Sequence, residues 1–115
     1  MRTEKFTIEV SSTGSRKETF NPNLNGRILG VMVSPKYQDN TDISLSMQKN
    51  NTGKQLIDPM SISHLADRNV EWGKNFFPLN IESQKIDVYA VYLGESTPFT
   101  EDVDLIFIFE DEEIC

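Results

Sequence analysis

Cysteine is all but absent. Cys115, the last residue, is the only one, so no disulfide can close within the chain and no thiolate metal cluster is expected. A frayed end is also a poor place to hold a nucleophile, because catalysis needs fixed geometry. Histidine is equally scarce. His64 stands alone, and a zinc site there would have to draw its other ligands from carboxylates. A structural or exposed role is the simpler expectation for it. No apolar run approaches the roughly 20 residues that a membrane-spanning helix requires, and the opening Met1–Thr7 has no apolar signal-peptide core. A cytoplasmic setting is therefore expected. Basic residues are outnumbered, 11 against 18 acidic, for a net charge of −7. Nucleic acid is not expected as the main partner, since phosphate contacts need a basic surface. No glycine-rich phosphate loop or nucleotide fingerprint occurs, and no long segment has helical periodicity.

What is present is period-two alternation. The 115 residues suit a single domain, 1–115, with room for one core. Residues 1–25 read as an N-terminal arm with a first strand, and 110–115 as an acidic tail carrying Glu110, Asp111, Glu112 and Glu113. Phe6, Ile8 and Val10 alternate with polar neighbours, the mark of a half-buried strand. Residues 11–25 read as a long loop with a short strand near Glu18–Phe20, ending at the Asn25-Gly26 turn. Strands follow at 27–33, at 43–48 and, after the Asn50–Gly53 hairpin turn, at 55–57. Met60, Ile62 and Leu65 fit either a short strand or one helical turn. Further strands are expected at 76–81, 85–93 and 102–109. Short strands with turns between them indicate an all-β, antiparallel β-sandwich, because one-faced sheets must cover each other.

Three strands are apolar on both faces. In 27–33, Leu29, Val31 and Val33 would share one face and Ile28 and Met32 the other. In 86–93, Tyr89, Val91 and Leu93 oppose Ile86, Val88, Ala90 and Tyr92. In 103–109, Ile106 and Ile108 oppose Val103, Leu105, Phe107 and Phe109. Burying a side chain of this size is worth about 1.5–3 kcal/mol, and a patch left in water would invite association. Either the chain's own 11–25 segment covers the second face or another subunit does. The second alternative makes Ile28, Met32, Tyr89, Val91, Leu93, Ile106 and Ile108 interface residues.

Chemistry-bearing clusters are few, and no cofactor is expected. Asp39-Asn40-Thr41-Asp42 offers oxygen ligands to a hard cation but lacks EF-hand spacing, and turn formation explains it more simply. Asp102 and Asp104, with Glu95 and Glu101 nearby, are carboxylate pairs of the kind glycosidases use, as any acidic chain offers. Asn50-Asn51-Thr52 matches a glycosylation acceptor, without a signal peptide to give it meaning. Tyr37 and Trp72 fall in loops, where aromatic rings could stack on sugar or anchor a protein interface.

One ordered set of segments carries a resemblance. Gly26–Pro35 (GRILGVMVSP) is followed by Ile43–Met47 (ISLSM), Gln55–Pro59 (QLIDP), Phe77-Pro78-Leu79, Val88-Tyr89 and Thr97-Pro98-Phe99. Across roughly 26–110 this resembles small jelly-roll structural proteins of bacterial viruses, of the penton or minor-capsid kind. The resemblance implies a single jelly roll of about eight strands, symmetric oligomers and no enzymatic activity. Its partners would be other copies of itself and other virion structural proteins, assembled in the host cytoplasm. A carbohydrate- or host-surface-binding module using Tyr37 and Trp72 is the alternative.

Overall fold

The alternating segments form the strands of two packed sheets. The structure, a computed structural model, describes residues 2–12, 14–37, 40–65, 76–95 and 98–110. The strands are β1 (Arg2–Ser11), β2 (Arg16–Phe20), β3 (Arg27–Met32), β4 (Ile43–Lys49), β5 (Gln55–Ser61), β6 (Phe77–Glu82), β7 (Ile86–Tyr92) and β8 (Thr100–Phe109). Short 3-10 turns occupy Pro35–Tyr37 and Ile62–His64. Met60 thus ends up on β5 and Ile62 on a turn, dividing between them the two alternatives open for that stretch. No helix among the described residues is long and apolar enough to cross a membrane.

One sheet has the order β1-β8-β3-β6 and the other β2-β7-β4-β5, with all pairings antiparallel. The chain is therefore an antiparallel β-sandwich. Its pairings are nested: β4 with β5, β3 with β6, β2 with β7, and β1 with β8. A chain doubled into one long hairpin and rolled onto itself gives this arrangement.

The core lies between the sheets. Ile8 and Val10 of β1, Ile43, Leu45 and Met47 of β4, Ile86 and Val88 of β7, and Val103, Leu105, Phe107 and Phe109 of β8 are all fully or almost fully buried. Phe20 stacks on Phe107 with ring centroids 4.1 Å apart, and Phe6 tilts against Phe20 at 5.4 Å. These rings join β1 and β8 of one sheet to β2 of the other. One end of the sandwich is closed by polar contacts. The Glu4 carboxylate accepts the backbone N–H groups of Asn23 and Leu24, and the Arg2 guanidinium donates to the carbonyls of Asn25 and Glu110.

Strand β3 departs from simple alternation. A bulge between Ile28 and Gly30 sets Ile28 beside Phe109, Gly30 beside Ile108, Val31 beside Phe107 and Met32 beside Ile106. The extra residue reverses the facing of everything before it. Ile28 therefore belongs to the core with Val31 and Val33, not to an outer patch with Met32. The segment 11–25 supplies β2 to the second sheet, closes one end and sets Lys17 over the outward Tyr89 ring, 5.8 Å from its centroid. On the first sheet the Phe76 ring lies over Gly30, so close that a Cβ there would collide with it. Met32 and Ile108 flank this position on the outer face and are 1% and 0% exposed.

Candidate functional site

Strand β7 lies inside its sheet, between β2 and β4. Its alternation sends Ile86, Val88 and Ala90 into the core and Asp87, Tyr89 and Val91 outward. On that outer face the register sets Thr19 and Gln48 beside Asp87, Lys17 and Ser46 beside Tyr89, and Ser44 beside Val91. Tyr89 and Val91 are half-buried among these polar neighbours. Leu93 continues the row past the strand end, where its N–H donates to the Asp42 carbonyl at 2.5 Å. It is 65% exposed and is the one exposed large hydrophobic residue among those described.

Asp87 anchors this face. Asp87 as a whole is only 5% exposed, which would be costly for its charge without partners. It accepts the Thr19 hydroxyl at 2.7 Å and the Asn50 amide at 2.9 Å, with the Lys17 ammonium 3.7 Å away. The Asn50 hydrogen bond, then those of Thr19 and Lys17, hold its carboxyl below the ordinary carboxylate value against the opposing effect of burial. Sequence reasoning passed over Asp87. The available signal was a lone acid inside the apolar run Ile86–Leu93.

The seven residues expected at an interface thus divide. Tyr89, Val91 and Leu93 share one accessible row. Ile106 is half-buried on the outer face of the other sheet. Met32 and Ile108 are buried by the chain itself and Ile28 lies in the core, so these three have no surface to offer a partner.

Tyr37 does not fit a stacking role. It is 3% exposed and part of the core, with the Lys36 ammonium 4.9 Å from its ring centroid. Burial pushes its phenol above the ordinary value, with Lys36 and Glu101 also acting on it, and among the described residues its hydroxyl has no hydrogen-bond partner within bonding geometry. A cavity of about 240 Å³ opens beside it, lined by Ser34, Lys36, Tyr37, Asp102 and Asp104. Lys36 pairs with Glu101 at 3.7 Å, and Asp104 accepts the Thr7 hydroxyl at 2.5 Å. Lys36 and Asp104 thus both have partners within the chain. A shallower cavity of about 140 Å³ is lined by Asn50, Asn51, Gln84 and Lys85 at the opposite end. Trp72, Asp39 and Cys115 lie outside the described residues.

Among the described residues no three His, Cys, Asp or Glu side chains are grouped to hold a metal ion. His64 is exposed. Asn40 acts as a turn former: its Oδ1 accepts the N–H groups of Asp42 and Ile43 at the entry to β4. No family model, curated protein or solved structure matches this chain.

Proposed function

We propose that this chain is a non-enzymatic assembly subunit built as a single jelly roll, of the kind that forms the capsid, penton or decoration layers of a virion. The nested pairing of strands supports the jelly-roll reading, since two interlocked Greek keys of eight strands pair in this order. The assembly reading rests on one observation above all. Leu93 is 65% exposed at the end of the outward row Tyr89-Val91-Leu93, while the core beneath is complete without it. An aromatic and two aliphatic side chains in line, ringed by Lys17, Ser44 and Ser46, have the composition of an apolar contact with a polar rim. Self-association through such rows closes into symmetric oligomers.

Sedimentation velocity over a range of low protein concentrations tests the reading. A defined oligomer is expected, weakened by Leu93→Asp. A chain that stays monomeric throughout overturns the proposal.

A further inference from the structure

A sandwich of two open sheets has four edge strands, here β1, β6, β2 and β5. An unprotected edge is a template for another strand, and proteins block edges with proline, bulges, charge or brevity. Three of these edges are blocked. Strand β5 carries Pro59. Strand β6 carries Pro78, with Asn80 in the left-handed region at φ 52°. Strand β2 has only 5 residues and includes Arg16, Lys17 and Glu18. Strand β1 also carries charge, at Arg2, Glu4, Lys5 and Glu9, but it lacks the other devices. It runs for 10 residues without proline or glycine and keeps unbroken register with β8 from Arg2 to Ser11.

The chain itself packs at both ends of this strand. At one end the Asn23 and Leu24 N–H groups donate to the Glu4 side chain. At the other, Ser11 forms a bridge with Gly14. The stretch between them, Lys5 to Glu9, is centred on Thr7. Lys5 and Thr7 are exposed and Glu9 is half-buried, all on the outer face. Among the described residues Lys5 has no ion pair.

We infer that β1 pairs antiparallel with β1 of a second copy, about a two-fold axis at Thr7. Directly opposed residues in an antiparallel pair project from the same face, so a two-fold register must centre on a residue. Centring on Lys5 or Glu9 sets like charges against each other. Centring on Phe6 or Ile8 leaves Lys5 without an opposed counter-charge, whereas Glu9 has Arg16 of its own chain 3.8 Å away in any register. The Thr7 register alone sets Lys5 of each copy against Glu9 of the other, with Thr7 facing Thr7 between them. The product is one continuous sheet, β6-β3-β8-β1 joined to the same four strands in reverse, with the shared edge sealed. This inference rests on the assembly reading and names a contact separate from the Leu93 row.

The test compares wild type, Lys5→Glu, Glu9→Lys and the double exchange by sedimentation, with thermal unfolding of each to verify the fold. Each single variant places two like-charge pairs across the axis and should weaken the dimer by on the order of tenfold. The double exchange restores opposite charges and should recover wild-type association. An oligomer indifferent to both single variants, or a double exchange weaker than either, overturns the β1 contact and leaves the assembly reading standing. A wild-type monomer at every concentration overturns both.

Discussion

The Thr19 hydroxyl of β2 donates to the Asp87 carboxylate of β7 at 2.7 Å, directly across the strand pair. With the Asn50 amide on the same oxygen, it ties strand β2 and the β4–β5 turn to one buried charge. Asp87 titrates below its ordinary value in the folded chain, chiefly because the Asn50 hydrogen bond favours the ionised form. A folded-state value depressed in this way contributes stability that is present above the unfolded value, about 3.9, and lost as the pH falls through the folded value. Asp87→Asn removes the charge and should cost about 1–3 kcal/mol near neutral pH. The gap between variant and wild type should close as the pH drops below about 4. Urea unfolding of both proteins at several pH values checks this, and a gap independent of pH would show that the charge contributes nothing.

Phe20 is the main apolar contribution of short β2 to the core. It stacks on Phe107 at 4.1 Å with planes 8° apart and touches Phe6 at the edge of the opposite sheet. Phe20→Ala should lower stability by about 3–5 kcal/mol. Thr19→Ala, removing one hydrogen bond to Asp87, should cost only about 1 kcal/mol. Chemical denaturation of the two variants gives the comparison, and equal losses would refute the dominant role assigned to the ring.

The sandwich was legible because its strands alternate. Ile43, Leu45 and Met47, or Val103, Leu105 and Phe107, announce a buried face from spacing alone, and the structure buries all six. The same spacing correctly set Tyr89, Val91 and Leu93 apart from Ile86 and Val88. It failed at β3, because a bulge shifts register by one residue and leaves no period-two trace. Met32, Ile106 and Ile108 were rightly placed away from the core. Their cover was illegible, because the ring over Gly30 comes from Phe76, far along the chain. Tyr37 looked like a loop aromatic, and it is one, but a one-turn 3-10 segment folds its ring inward. The open edge of β1 was also hidden, since which strands lie at an edge depends on pairing order and not on local pattern.

Gly30 is required by that same packing. A Cβ at this position would overlap the Phe76 ring and the Phe77 carbonyl. The ring could swing aside, but the carbonyl belongs to β6, paired with β3 at this point. Gly30→Ala should therefore cost about 1–3 kcal/mol, the penalty of overpacking, although alanine loses less backbone entropy on folding than glycine. Thermal unfolding measures it. If Gly30→Ala is neutral or stabilising, the close approach of β6 and Phe76 to β3 is not as described.

The Tyr37 hydroxyl gives the opposite expectation. Removing a buried polar group is costly when it breaks a hydrogen bond, and nearly neutral or stabilising when the group has no partner. Tyr37 is 3% exposed, and among the described residues its hydroxyl has no hydrogen-bond partner to replace water. Tyr37→Phe keeps the ring within the core and beneath the Lys36 ammonium and deletes the oxygen, with its influence on Lys36. It should leave stability unchanged or raise it by up to about 1 kcal/mol. Tyr37→Ala should cost about 3–5 kcal/mol, because it empties the space the ring fills. Denaturant unfolding of the pair separates the ring from its hydroxyl. A loss above about 1 kcal/mol for Tyr37→Phe would mean that the hydroxyl does have a partner, and the cavity beside Ser34 and Asp104 is where to look for it.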